Sequence, residues 1–172
     1  MKRFFAILLL CVASTTASAQ WKPAGDNLKT DWGINLDPDN VLPEYPRPIM
    51  EREKWQNLNG LWNYAIRPKN EAKPTDMDGE ILVPFAVESS LSGVMKPLGQ
   101  HKALWYDREF TIPSAWKGQR ILLHFGAVDW HAQVWVNDMK IGEHKGGYSP
   151  FSFDITPALQ KGTNSLTVKV LD

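Results

Sequence analysis

The sequence predicts an all-β fold, an antiparallel β-sandwich preceded by an extended N-terminal arm. Short apolar-rich runs alternate with glycine, proline and asparagine residues, a punctuation typical of strands joined by turns. No long stretch shows the 3.6-residue period of an amphipathic helix. After removal of a predicted leader, about 150 residues remain, which is enough for one hydrophobic core and therefore for one domain.

Residues 1–19 are predicted to form a secretory signal peptide. Basic residues at positions 2 and 3 precede an apolar run over residues 6–12, and Ala17-Ser18-Ala19 supplies the small-x-small pattern that signal peptidase cleaves, before Gln20. The apolar run is too short to span a membrane. We therefore expect the protein to be exported to the periplasm or the extracellular space.

The charge and the cysteine content exclude several classes of function. The chain holds 19 basic and 19 acidic residues without a basic run, so it lacks the charge that nucleic acids or anionic membranes require. Its one cysteine, Cys11, lies in the predicted leader, so the exported part has no disulfide, thiol nucleophile or cysteine-based zinc site. A lipid anchor at Cys11 is the alternative, although the large leucine before it fits a lipidation site poorly.

Residues 20–48 are predicted to form an arm, and residues 49–172 the sandwich. The arm has no sustained period of 2 or 3.6, so it can lie extended over a surface but cannot form a core. Its prolines are Pro23, Pro38, Pro43, Pro46 and Pro48.

Eight strand candidates follow the arm. They cover residues 60–66, 80–83, 103–112, 120–128, 132–136, 140–143, 151–155 and 165–171. The polar stretch over residues 69–79 is predicted to be a loop. Asn137-Asp138 lies between two strand candidates, where a tight hairpin needs residues that tolerate positive φ. Residues 162–164 are predicted to turn into the last strand.

The alternation of side chains assigns faces to two of these strands. Ala132, Val134 and Val136 are predicted to face the core. The other side is predicted to carry His131, Gln133, Trp135 and Asn137. In the last strand, the apolar side chains of Leu166, Val168 and Val170 are predicted to point inward, and those of Thr167 and Lys169 outward.

Five segments in order carry a resemblance to a known family. They are Leu58-Asn-Gly-Leu-Trp62, Val83-Pro-Phe85, Leu104-Trp-Tyr-Asp-Arg-Glu-Phe110, the Asn137 hairpin, and the stretch from Gly146-Gly-Tyr-Ser-Pro-Phe151 to Asp154-Ile-Thr156. Together they resemble the N-terminal sugar-binding domain of glycoside hydrolase family 2, the group that contains β-galactosidases, β-glucuronidases and β-mannosidases. The resemblance spans residues 50–172 and implies a jelly-roll β-sandwich of the galactose-binding-like type.

The resemblance also implies that catalysis takes place elsewhere. In that family, two glutamates on a TIM barrel perform a retaining hydrolysis, and a barrel needs about 250 residues. We therefore expect no catalytic residue, cofactor or metal in this chain, which we interpret as a fragment of a longer hydrolase. By the resemblance, Asp172 is similar to the first residue of the family's "DPTD" run, whose later aspartate would fall beyond residue 172.

The chain's own acids and histidines offer weaker alternatives for chemistry. Asp107 and Glu109 lie two apart on one strand and can bring two carboxylates together, but we expect solvated charges or partners of Arg108 and nearby lysines. The histidines His124, His131 and His144 lack the spacing of metal ligands.

Two clusters are candidates for carbohydrate binding. By the resemblance, the loop over residues 95–102 helps shape the sugar pocket. Gln100, His101 and Lys102 can hydrogen-bond hydroxyl groups, and Trp105 can offer a stacking face, unless His101 is an ordinary exposed loop residue. Asp129, Trp130 and His131 form the second cluster, with a structural alternative in which the carboxylate caps backbone N–H groups and the tryptophan packs.

The glycine pair at residues 146 and 147 is expected to provide special backbone angles for a turn, with Tyr148 and Phe151 filling the edge of the sandwich. No helix follows this pair, so phosphate binding is not expected.

Three hypotheses follow from the sequence. The first is an exported N-terminal domain that binds carbohydrate and supports the catalytic barrel of a family 2-like hydrolase. The second is a free-standing carbohydrate-binding module. The third is a structural β-sandwich whose aromatic residues all pack in the core.

Overall fold

The computed structural model describes residues 21–172, which form an antiparallel β-sandwich. The predicted leader and Cys11 lie outside the described residues. The strands are β1 (Gly60–Pro68), β2 (Gly79–Val83), β3 (Lys102–Thr111), β4 (Leu122–Phe125), β5 (His131–Val136), β6 (Met139–Lys145), β7 (Phe151–Asp154) and β8 (Thr163–Leu171). All eight predicted strands are confirmed, and β4 is shorter than predicted.

Helical segments in the described part of the chain are short, as the sequence predicts. One α-helix, α1, covers Asp31–Ile34, and 3-10 turns cover Pro48–Met50, Ser90–Ser92, Ser114–Trp116 and Thr156–Ala158. Thr30 caps α1 by accepting a hydrogen bond from the Gly33 N–H. Within residues 21–172, no helix is long and apolar enough to cross a membrane.

The strands form two sheets. The larger has six strands in the order β2-β1-β3-β8-β5-β6, and the smaller pairs β4 with β7. Every pairing is antiparallel. The strand β8 therefore lies in the middle of the large sheet, between β3 and β5, although it is the last of the eight in sequence.

The main core lies between the two sheets, and its face assignments match the predicted alternation. Ala132, Val134 and Val136 are fully buried. The predicted inward residues of β8 are also buried, and Leu123 of the small sheet closes the same core from the other side. Gly142 is required here because any Cβ at that position would collide with the Phe153 ring.

The hairpin between β5 and β6 is built as predicted. Asn137 and Asp138 both have positive φ, 48° and 64°. The Asn137 side chain also does something that the sequence did not indicate. Its amide donates to Asn164 Oδ1 over 2.7 Å, and its oxygen accepts from the Ser165 N–H over 2.9 Å. The hairpin is thereby tied to the start of β8.

The loop between β1 and β2 covers part of the outer face of the large sheet. Thr167 lies on this face as predicted, yet it is only 3% exposed. The reason is Lys73 of the loop, whose Nζ lies 2.8 Å from Thr167 Oγ1 and 2.9 Å from Asp107 Oδ2. Lys169 donates to the carbonyl of Lys69 at the start of the same loop. An outward-pointing residue is therefore buried by a distant segment.

The arm lies against the turn that precedes β3. The Ala24 N–H donates to the Ser90 carbonyl over 2.8 Å, and the Ser90 hydroxyl donates back to the Ala24 carbonyl. Gly93, at φ +82°, has no room for a Cβ because the Trp21 indole lies against it. These contacts fix the beginning of the arm next to the loop over residues 95–102.

Candidate functional site

The sheet topology brings the two predicted clusters to the same end of the large sheet. Leu171 at the end of β8 pairs with Ala103 near the start of β3 and with His131 at the start of β5. Adjacent strands lie about 4.8 Å apart, so β3 and β5 are separated by about 10 Å across β8. The loop before β3 and the corner before β5 therefore flank Leu171. We call this end of the sheet the Leu171 end.

The first cluster lies in a loop whose backbone is anchored. Leu98 is buried, and its N–H donates to Glu88 Oε1 over 3.3 Å. The carbonyl of His101 accepts from the Lys69 N–H over 3.0 Å. The side chains of Gln100, His101 and Lys102 are exposed. A fixed backbone thus presents three polar side chains to solvent.

The second cluster lies at the corner before β5. The Trp130 carbonyl accepts from the Gly146 N–H over 2.8 Å, and the Trp130 N–H donates to the Leu171 carbonyl over 3.3 Å. The indole is 45% exposed, and Lys145 Nζ lies 5.9 Å from the ring centroid. Trp130 therefore presents an accessible aromatic ring beside the end of β8.

Asp129 packs against the turn after β6. A Cβ on Gly147 would collide with the Asp129 carboxylate, so Gly147 is needed for space. Gly146 has a φ of +130°, which agrees with the predicted special backbone angle. The prediction for Tyr148 was wrong, since it is 96% exposed and fills no edge. Phe151 does pack, stacked on Phe125 with 4.8 Å between ring centroids.

His131 is positioned beside the same corner but is mostly covered. Its side chain is 14% exposed, and Nε2 lies 3.8 Å from Glu143 Oε2. This Nε2 is buried and has no hydrogen-bond partner within residues 21–172. The imidazole is tilted against Trp130, with 6.2 Å between ring centroids. His131 therefore supports Trp130 from the outer face of the sheet.

Trp105 occupies a different environment from the other predicted site residues. It lies on the outer face of β3 and is only 4% exposed. Its neighbours are Trp135, at 5.8 Å between ring centroids, and Lys169, whose Nζ lies 4.9 Å from the ring centroid. A covered ring leaves no face for a sugar, so the structure does not support the stacking role expected for Trp105.

The two carboxylates of β3 lie in different environments. Asp107 is held by Lys73 and by the Thr167 hydroxyl, which donates to it over 2.7 Å. Glu109 is exposed at a shallow depression of about 340 Å³ on the outer face, with Asn63 and Glu80 nearby. No cluster of metal-ligating side chains occurs in the part of the chain that the structure describes.

The sequence suggested Arg108 as a partner of these carboxylates, but the structure gives it other partners. Its Nη1 donates to the carbonyls of Leu58 and Asn59 over 2.8 and 2.9 Å. Burial of the guanidinium lowers the pKa of Arg108. Arg108 therefore ties the segment that enters β1 to β3, which is a structural role.

Lys145 is a site residue that the sequence analysis missed. It pairs with His131 because the β5–β6 ladder contains a β-bulge between Val134 and Trp135. A hairpin without the bulge would pair His131 with His144 instead. The bulge has no clear sequence signal, so the position of Lys145 beside Trp130 follows only from the structure.

The chain matches the family model described as "Glycosyl hydrolases family 2, sugar binding domain" over residues 80–172. It is 32% identical over 133 residues to a β-glucuronidase of Paenibacillus borealis, covering 73% of this chain and 22% of that protein. It is 33% identical over 120 residues to a β-galactosidase of Thermoanaerobacter pseudethanolicus, covering 66% of this chain and 16% of that protein.

Solved structures give the same result. A β-glucuronidase of an uncultured Clostridium species is 31% identical with a TM-score of 0.55, over 70% of this chain and 23% of that one. The β-glucuronidase of Ruminococcus gnavus in complex with uronic deoxynojirimycin is 27% identical with a TM-score of 0.58, over 71% and 22%. The chain thus spans about a fifth of the length of the proteins that it matches.

Proposed function

Because the chain belongs to the family of sugar-binding domains of family 2 glycosyl hydrolases, we propose that it binds carbohydrate. In this proposal it is exported and acts as the N-terminal scaffold of a longer β-glycosidase. In this proposal, the two catalytic carboxyl groups lie on a barrel domain outside these 172 residues. The relatives' names, β-glucuronidase and β-galactosidase, support a β-linked glycan as the substrate of the longer protein.

The observation that carries the sugar-binding proposal is the geometry of the Leu171 end. The exposed side chains of Gln100 and His101 lie on one side of β8, and the half-exposed Trp130 ring lies on the other. The separation of about 10 Å between their strands suits one or two sugar rings. A pyranose presents hydroxyl groups and an apolar C–H face, so it needs hydrogen-bonding side chains on one side and an aromatic ring face on the other.

Each group has a defined part in this proposal. The Gln100 amide offers both a donor and an acceptor, the Lys102 ammonium offers donors, and the His101 ring offers one of each when neutral. Trp130, rather than the covered Trp105, supplies the stacking face. Lys145 above the Trp130 ring limits one side of the site.

A purely structural role is the second candidate, and one observation favours it. Trp62 and Trp105 are 6% and 4% exposed, so part of the aromatic content serves packing alone. A free-standing binding module is the third possibility, with the same sugar site and no barrel.

The test is a titration of the purified chain with methyl β-glucuronide, β-galactoside and β-mannoside, followed by tryptophan fluorescence. We expect a saturable change at millimolar concentrations of one of them. Substitution Gln100→Ala should weaken it roughly fivefold, the effect of losing one or two neutral hydrogen bonds. Trp130→Ala should remove most of the signal.

The matched control is Gln119→Ala, an exposed glutamine that follows β3 beyond its other end. No saturable change with any of the three sugars would favour the structural role. We also expect no hydrolysis of chromogenic glycosides by this chain, and turnover would contradict the placement of catalysis on another domain.

A further inference from the structure

The small sheet carries a second polar cluster that the sugar-binding proposal does not use. His124 of β4 and Ser152 of β7 are direct partners in the ladder, and both are exposed. His124 Nδ1 lies 2.5 Å from Ser152 Oγ. When the hydroxyl donates to Nδ1, the ring proton lies on Nε2, so the neutral imidazole keeps a donor for a ligand.

A segment of the N-terminal region brings two arginines to this pair. Tyr45 and Trp55 contact each other edge to face, with 4.8 Å between ring centroids, and Trp55 lies 6.4 Å from the His124 ring. The segment between the two aromatic residues is therefore closed into a loop against β4. Arg47 and Arg52 lie within this loop, and both are exposed.

The loop also carries the cation Lys54 and the carboxylates of Glu51 and Glu53. Within residues 21–172, neither arginine takes part in an ion pair. Burial, followed by the positive charges of Arg52 and Arg47, lowers the pKa of His124. The nearest carboxylate along the same face of β7, Asp154, is itself held by Arg120 at 2.7 Å.

We propose that Arg47, Arg52, His124 and Ser152 form a binding site for the anionic group of an acidic glycan, a carboxylate or a sulfate ester. Guanidinium groups bind such oxygens with charge-assisted hydrogen bonds, and a hydroxyl and an imidazole complete the donor set. That the anion belongs to a glycan rests on the proposed function. The site itself rests on the four side chains and lies on the sheet opposite the Leu171 end.

The experiment follows the four histidines of the purified chain by imidazole NMR during titration with sodium sulfate, with sodium chloride adjusted to constant ionic strength. Sodium D-glucuronate and neutral methyl β-glucoside are the second and third ligands. We expect His124 alone to respond saturably to sulfate and glucuronate, and its pKa to rise, because a bound anion offsets the arginine charges. His101, His131 and His144 serve as internal controls.

Arg52→Gln should weaken the glucuronate response of His124 roughly tenfold, the effect of losing one charge-assisted hydrogen bond. Arg47→Gln gives an independent repeat at the other guanidinium. The matched control is Arg120→Gln, an exposed arginine of the same surface whose charge is already paired with Asp154.

Parallel shifts of all four histidines, or equal effects of the Arg52 and Arg120 substitutions, would overturn the site. If His124 responds to sulfate but not to glucuronate, the site binds inorganic anions only. That result would overturn the assignment of the site to a glycan. Failure of the β-galactoside and β-mannoside titrations, which use neutral sugars, would leave this result unaffected, so the two proposals fail separately.

Discussion

Trp105 lies on β3 and Trp130 lies just before β5, and these two strands flank β8, yet the surroundings of the two side chains are opposite. Trp105 on β3 is 4% exposed, whereas Trp130 before β5 is 45% exposed. Trp105 points to the outer face, where Trp135, Lys169 and the loop after β1 cover the sheet. Trp130 lies just before a strand, where Lys145 and the His131 ring approach it. The comparison shows that position along a strand decides whether a tryptophan packs or stays available to a ligand.

The largest expected difference is in stability. Trp105→Ala should lower the free energy of unfolding by about 3–5 kcal/mol, because a buried indole leaves a cavity. Trp130→Ala should cost less than about 1 kcal/mol, because that ring is half in solvent. Chemical denaturation of the two variants beside the parent chain measures both values. Equal losses would mean that the two tryptophans do not differ in burial.

A smaller effect is expected from the loop that covers Trp105. Lys73→Met removes the ammonium that bridges Asp107 and Thr167 and should cost about 1 kcal/mol, since the lysine is partly in solvent. Acrylamide quenching of tryptophan fluorescence should also increase as the loop loosens. The matched control is Lys161→Met, an exposed lysine that makes none of the ion pairs found within residues 21–172. Identical quenching in both variants would show that Lys73 does not hold the loop.

The smallest effect concerns the far end of that loop at acidic pH. Burial alone would raise the pKa of Asp78, but the Ile66 N–H, at 2.8 Å, and Arg67, at 2.7 Å, hold it below its usual value. A lowered folded pKa means that the stabilisation is complete above the unfolded pKa, near 4, and is lost as the pH falls through the folded pKa. Asp78→Asn should therefore reduce the loss of stability between pH 7 and pH 3.

The control for that experiment is Asp76→Asn. Asp76 contacts the same Arg67 at 3.3 Å but is 85% exposed. The stability of the Asp76→Asn variant should therefore depend on pH much as that of the parent chain does. If both substitutions flatten the pH dependence equally, the network around Asp78 is not its source.

The strands and the core faces could be predicted because they depend on local alternation and on turn residues. Val134 and Val168 face the core for that reason, and Asn137 turns the hairpin because it tolerates positive φ. The coverage of the outer face could not be predicted. Thr167 is buried by Lys73, which lies 94 positions earlier in the chain. Alternation tells which side a residue faces, but not which distant segment covers that side.

The candidate site was predicted only in its parts. The resemblance singled out the loop of Gln100 and His101, and the sequence left open whether Trp130 packs or binds a sugar, whereas their common position at one sheet end depends on the strand order. Lys145 was not predicted as a site residue because a β-bulge shifts the β5–β6 register by one residue. Arg108 was misassigned because its partners are backbone carbonyls 49 and 50 positions away.

The central place of β8 has a consequence for how the polypeptide is made. The ribosome releases β2-β1-β3 and the β5–β6 hairpin as two separate halves, since only β8 joins them. Until residue 171 has left the exit tunnel, β3 and β5 each present an open edge to the nascent chain's surroundings. Both edges are covered only when β8 pairs with β3 and β5, so this sheet is completed by the last strand to be synthesised.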